Sequence, residues 1–198
     1  MIPQRDQFDA LPIQRTRLRL FEMAVSSASL GGPWAEFGVK EGFSARMLLS
    51  LQSEPAPLYL FDSWDGLPED WVEDGETVCR KGKFAWAQPP DIEGATNVRG
   101  WFDDTLPGFQ FTGPLSVIHV DSDLESSART VLRHVPMASG TVIIFDEFFA
   151  SRNGFTEPGG DLFGCGECRA WVDEVKARGL EWRYIARTTR NRVAVRIH

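Results

Sequence analysis

Apolar residues in this chain fall into short unbroken runs, and the stretches between the runs carry helical spacing. The runs are PWAEFGV at 33–39, LYLFD at 58–62, LSVIHVD at 115–121 and GTVIIFD at 140–146, with a weaker one, ATNVRG, at 95–100. Runs of this length bounded by turn formers predict strands buried on both faces. Between them, residues 15–29 put Leu18, Phe21 and Val25 on one helical face, and 44–51 do the same with Met47, Leu48 and Leu51. After Asp121, the residues Leu124, Ala128, Val131, Leu132 and Val135 form a third apolar stripe,. Ser122 and Glu125 have capping-box spacing at its start. A helix is predicted over about 167–178, stopped by Gly179. EWRYIAR (181–187) and NRVAVRIH (191–198) read as an antiparallel pair joined through Thr188–Arg190.

Strand–helix alternation predicts an α/β fold: a mostly parallel sheet with helices on both faces, closed by a C-terminal antiparallel hairpin. The 198 residues fit one domain, 1–198,. Within it, 1–30 is an N-terminal helical segment and 63–94 an insertion that reads as a lid. The insertion holds Trp64, Trp71, Phe84 and Trp86 among Gly, Pro and acids, and a loop that long is usually functional,. Trp101 and Phe102 are further pocket candidates. Core packing is the competing role for each of these aromatics.

Composition narrows the partners. A formal charge of −7 argues against a general affinity for nucleic acid or an anionic membrane,. No apolar run approaches the ~18–20 residues of a bilayer span. The first residues, MIPQRDQFDALPIQRTR, lack a signal-peptide core, so a cytoplasmic location is expected,. The cysteines Cys79, Cys165 and Cys168 are odd in number, which favours reduced thiols. The Cys165/Cys168 pair would need two more zinc ligands, and His119, His134 and His198 are scattered. Cys168 shares helical spacing with Trp171, Val172 and Val175 and reads as a core thiol.

Sheets of this kind bind ligands beyond the carboxyl ends of their strands, where the strand order reverses. The first strand ends in Glu36-Phe37-Gly38-Val39-Lys40-Glu41-Gly42-Phe43-Ser44. Gly38 and Gly42 allow close backbone approach, and Ser44 can help start a helix whose N–H groups face a polar ligand. Asp62-Ser63 ends the second strand, where an acid accepts ribose hydroxyls or caps a turn. Asp121 ends the fourth, and Asp146-Glu147 the fifth. Three carboxylates at neighbouring strand ends repel one another unless a cation is shared. A hard divalent ion, Mg²⁺ for a site of few carboxylates plus water and substrate oxygens, resolves this. Solvated loop acids or helix caps are the competing reading. Asp123 is the rival to Asp121, but it is expected in the first turn of the next helix, where the macrodipole favours an acid.

The pieces AEFGVKEGFSA, LYLFDSWDGLPE, VRGWFDDTLP, IHVDSDLESS and GTVIIFDEF, with the CRAWVDEV helix and the final strand pair, resemble the macrocin O-methyltransferase family. These are the metal-dependent sugar O-methyltransferases of antibiotic biosynthesis, and the resemblance covers about residues 33–198. It implies a class I methyltransferase (Rossmann-like) fold with a mostly parallel seven-stranded sheet, S-adenosylmethionine as methyl donor, and a small-molecule hydroxyl acceptor. Glu36, Gly38, Gly42 and Ser44 would lie at the donor's methionine end and Asp62 on its ribose, with Ser63 and Ser122 also in the donor site. Asp121, Asp146 and Glu147 would ligate the metal, and Asp121 would also be the general base. The chain departs from the family pattern in having Glu147 in place of a second aspartate, Glu125 in place of Tyr, and a shorter N-terminal part. A homodimer is compatible with the family.

Three other functions are open. A nicotinamide-dependent oxidoreductase predicts G-x-G-x-x-G after the first strand, whereas this chain has G-x-x-x-G. A non-catalytic donor-binding protein would keep the fold, and a phenol or catechol O-methyltransferase would keep the chemistry.

Overall fold

The computed structural model describes residues 5–73, 76–148, 166–189 and 191–198. Its elements in chain order are α1 (Arg5–Asp9), β1 (Ile13–Gln14), α2 (Arg17–Ser27), β2 (Trp34–Phe37), α3 (Phe43–Ser50), β3 (Leu58–Asp62), β4 (Trp71–Glu73), β5 (Glu76–Cys79), β6 (Ala95–Arg99), α4 (Phe102–Thr105), β7 (Val117–Val120), α5 (Glu125–His134), β8 (Val142–Phe145), α6 (Gly166–Arg178), β9 (Trp182–Thr188) and β10 (Val193–Ile197). Eight strands form the main sheet in the order β1-β9-β10-β8-β7-β2-β3-β6. The block β6-β3-β2-β7-β8 is parallel, and β10 runs antiparallel to both β8 and β9. This is the expected mostly parallel sheet with its antiparallel hairpin. It gains one strand beyond seven because the two residues of β1 pair with β9 at the edge.

The central strands WAEF, VIHV and VIIF are buried along their whole length, as strands covered by helices on both sides must be,. Alternation divides their side chains between two cores. Ala35, Phe37, Ile118, Val120, Ile143 and Phe145 pack with α5 and α6, through Ala128, Val131, Leu132, Trp171 and Cys168. Trp34, Val117, Val142 and Ile144 face α2 and α3, through Leu20, Phe21, Ala24 and Leu48. Two polar residues occupy the same alternation on the α2–α3 side. Glu36 and His119 are register partners across β2 and β7, and both are fully buried.

Local expectations needed correction. The buried face of α2 is Leu20, Phe21 and Ala24, while Leu18 is exposed. The helix starts at Arg17 behind the Thr16 cap; Phe21 is buried as expected, and Val25 packs partly buried against the same core. The Ser122–Glu125 capping box does not form. Helix α5 begins at Glu125 behind Leu124, and Ser122 is engaged elsewhere. The 63–94 insertion is not a plain loop, since β4 and β5 pair as an antiparallel hairpin within it. Within it, Trp64 is buried and gives its indole N–H to the Lys40 carbonyl, whereas Phe84 and Trp86 are exposed. Cys168 is buried in the core, and Cys165 lies outside the described residues. Among the described residues, no helix is long and apolar enough to cross a membrane.

Candidate active site

From β2 the chain builds outward to β3 and β6, then returns to β7 on the other side. The β2/β7 boundary is therefore the point where strand order reverses,. A cavity of about 580 Å³ opens there. Its lining includes Gly38, Val39, Lys40, Asp62, Ser63, Ser122 and, deeper, Arg17, Asp121, Asp123, Asp146 and Glu147.

One wall is made by backbone. Gly38 has φ +90°, and a Cβ there would stand 1.8 Å from the Asp121 carbonyl oxygen. Only glycine lets the two strand ends lie this close. The Asp62 carboxylate is a clasp: Oδ2 accepts the Val39 and Lys40 amides at 2.8 and 2.9 Å, and Oδ1 accepts the Trp64 amide at 2.7 Å. Gly42, at φ +80°, caps α3 without a side-chain bond. Ser44 lies inside the helix rather than capping it and donates its hydroxyl to Glu36 Oε1. Glu36 Oε2 is buried with no hydrogen-bond partner among the described residues. Ser63 accepts the Asp65 amide at 3.1 Å, holding the turn after β3.

The other wall is made of charged side chains. Asp146 is almost fully buried and accepts both arms of the Arg192 guanidinium, Nε at 2.8 Å and Nη2 at 2.9 Å. Arg17 Nη2 reaches Asp146 Oδ2 at 2.5 Å and Asp121 Oδ2 at 3.5 Å. His119 sits beneath, with Nδ1 3.0 Å from Glu36 Oε1 and Nε2 3.6 Å from Asp146 Oδ1. Burial disfavours ionisation of Asp146, but bonds and charges from His119, Arg192 and Arg17 outweigh it, and the carboxyl is held well below the usual range,. Burial likewise opposes charge on His119, yet bonding to Asp146 and Glu36 raises it to about 10. Asp121 is pushed up to about 7, by burial first and then by the charge of Asp146.

Of the three acids expected to meet, Asp121 and Asp146 converge. Together with His119 they offer one ligand atom each within 4.8 Å of one another. Glu147 lines the same cavity but is not part of that group; its carboxylate accepts from Asn191 Nδ2 at 2.7 Å, and its amide donates to Glu167. Asp123 precedes α5 instead of lying in its first turn. It adopts φ +58° at the cavity wall, and burial followed by the charges of Asp121 and Glu147 raises it to about 8. Glu125 pairs with Arg129 at 2.7 Å and approaches Arg169 at 3.7 Å, so this departure from the family's Tyr serves the α5–α6 contact.

Four contributors escaped the sequence reading: Arg17, His119, Glu167 and Arg192. Glu167 is fully buried and accepts the Ser122 amide and hydroxyl, both at 3.0 Å, and the Glu147 amide at 3.2 Å. It ties α6 to two strand ends. A signal existed only for His119, a polar residue inside the run VIHV. The partners of the others are set by tertiary contact alone.

Comparison with known proteins gives this geometry its context. A family model described as a methyltransferase domain matches residues 35–148. A Streptomyces olivaceus protein, 8-demethyl-8-(2,3-dimethoxy-alpha-L-rhamnosyl)-tetracenomycin-C 4'-O-methyltransferase, is 26% identical in an alignment that covers 81% of this chain and 69% of that protein. Among solved structures, the O-methyltransferase NovP matches with a TM-score of 0.63 at 23% identity, covering 91% of this chain and 78% of that one. TomG from Streptomyces achromogenes, solved with S-adenosylmethionine, matches at 0.53 and 15% identity, covering 94% and 81%. These structural likenesses establish the class I methyltransferase fold.

Proposed function

This chain belongs to the methyltransferase-domain family, and from that premise we propose that it moves the methyl group of S-adenosylmethionine to a hydroxyl of a sugar-bearing natural product. Asp121 and Asp146 would hold a divalent cation such as Mg²⁺. The observation that carries this reading is the cavity that joins Gly38, Val39, Lys40 and Asp62 to those two converging carboxylates. The tetracenomycin-sugar methyltransferase relative supports the choice of acceptor class.

The transfer is an in-line displacement. The acceptor oxygen attacks the methyl carbon, the carbon–sulfur bond breaks, and its electron pair stays on sulfur to give S-adenosylhomocysteine. Alignment of the two reactants can supply ~7–11 kcal/mol of barrier lowering. The chain's own residues provide it. The Asp62 clasp fixes the turn that receives the donor, with the buried Glu36 beneath it, and Ser63 and Ser122 line the same space. Asp121, half-buried and directly across the Gly38 contact, takes the hydroxyl proton,. The 63–94 insertion closes over the donor and excludes water.

The donor set fits a hard cation. Asp121 and Asp146 already share a positive charge, that of Arg17, so their oxygens converge on one cation. Asp121 and Asp146 would hold the ion, with His119 and Glu147 nearby. It would supply positive charge at the acceptor hydroxyl.

The test is a methyl-transfer assay over a panel of glycosides, polyols and catechols, in excess Mg²⁺ and in excess EDTA. Turnover on a sugar hydroxyl that EDTA abolishes is the expected result. Equal rates in both buffers would remove the metal from the mechanism. Donor binding without turnover on any hydroxyl would identify a non-catalytic donor-binding protein instead.

A further inference from the structure

The chain supplies its own cation to the acid pair. Arg17 is the first residue of α2, and its side chain is 22% exposed at the cavity wall. Asp146 does not need it for neutrality, because the Arg192 fork takes both oxygens and His119 lies beside Oδ1. What Arg17 adds is the bridge: one Nη2 atom contacts Oδ2 of Asp146 and Oδ2 of Asp121. Those same two carboxylates, with His119, are the atoms close enough together to hold one metal ion. Asp146 Oδ2 already accepts from Arg17 and Arg192. A third positive partner on that oxygen would meet both crowding and like-charge repulsion.

We infer that Arg17 and the divalent ion are alternative occupants of the Asp121–Asp146 pair, so that loading the ion displaces the Arg17 guanidinium into the cavity. This rests on the metal-assisted reading above. In the ion-free protein Arg17 keeps two neighbouring carboxylates from repelling each other. The exchange needs only a side-chain rotation. Helix α2 is anchored by Leu20, Phe21 and Ala24 in the core, and the cavity that Arg17 lines has room for the released side chain. The arginine thereby lowers the affinity for the ion and makes ion loading and release reversible at low cost.

The experiment uses the full chain without donor or acceptor. Mn²⁺ binding is measured by calorimetry for wild type, Arg17→Gln, Arg17→Met and, as a blank, Asp146→Asn. Removing the competitor should tighten Mn²⁺ binding by about tenfold or more, the worth of one or two charge-assisted hydrogen bonds. A second measurement uses wild type alone and does not depend on the variants folding. The Arg17 Nε–H resonance should shift saturably as Mg²⁺ is added. Variants that bind Mn²⁺ no more tightly than wild type, or an Arg17 resonance unmoved at Mg²⁺ saturation, overturn the exchange while leaving the metal reading intact. If wild type and both Arg17 variants all bind no more Mn²⁺ than the blank, the metal reading falls and the exchange falls with it.

Discussion

The two walls of the cavity are built by opposite means. At the ends of β2 and β3, a short stretch of chain folds on itself. Gly38 takes a backbone conformation closed to other residues, and Asp62 gathers three amides from its neighbours. At the ends of β7 and β8, the acids face side chains far away in sequence. Arg17 is 129 positions from Asp146, and Arg192 is 46. The first wall is geometry held by hydrogen bonds to backbone. The second is a balance of charges in a partly dry site, where each group sets the state of the next. A donor pocket has to keep its shape, whereas a site that takes up a proton gains from groups that titrate.

The largest expected effect is on the charged wall alone. Asp146→Asn leaves Arg17, Arg192 and His119 without their shared anion. Stability should fall by about 3 kcal/mol in denaturant titration, as when one partner of a buried pair is removed. Turnover should disappear while calorimetric binding of S-adenosylhomocysteine is retained. Loss of both would show that the two walls are not separable. His119 supplies the pH signature of this wall. Its folded value of about 10 exceeds its ordinary 6.5, so its stabilising contribution is complete below about pH 6.5 and disappears as pH rises through about 10,. The ion-free wild type should therefore lose stability across that window, and His119→Gln should flatten the slope.

The next effect falls where the walls touch. Gly38→Ala places a methyl group against the Asp121 carbonyl in a backbone conformation that alanine resists. A cost of about 2 kcal/mol is expected. Because the clash lies between the proposed donor turn and the proposed base, donor affinity and turnover should fall together, in contrast with Asp146→Asn. A smaller effect tests the frame behind the charged wall. Ser122→Ala removes one hydroxyl bond to the buried Glu167 carboxylate and should cost about 1 kcal/mol in thermal melts, with the Ser122 amide still bound,.

The same contrast explains what could be read from sequence. Apolar runs located β2, β3, β7 and β8, because strands buried on both faces leave a contiguous signal. The acids were legible because each directly follows such a run. The donor turn was legible because its partners lie within about 25 residues and its glycines mark the conformation. Arg17 and Arg192 were not: one reads as a helix residue and the other as the start of the last strand, and only tertiary contact brings them to Asp146. The insertion was half legible. Its aromatics stood out, but nothing in their spacing separates the buried Trp64 from the exposed Phe84 and Trp86.

The smallest predicted effect decides whether that insertion belongs to the donor wall. Lys40 is part of both. Its amide is held by Asp62 and its carbonyl accepts from Trp64, while its ammonium lies 5.9 Å from the Phe84 ring and 5.6 Å from the Trp86 ring. Lys40→Met keeps the stem and removes the charge. An exposed cation–π contact is worth only ~0.5–1 kcal/mol, so global stability should barely move. Amide exchange is the sharper readout, because the Trp86 amide is bonded to the Trp64 carbonyl at 3.0 Å and protected only while the segment is docked,. If the ammonium tethers the insertion, exchange at Trp86 rises several-fold in Lys40→Met and donor release quickens with it. If burial of Trp64 alone holds the segment, Trp86 exchanges at the wild-type rate, and the charge on Lys40 has no part in closing the donor wall.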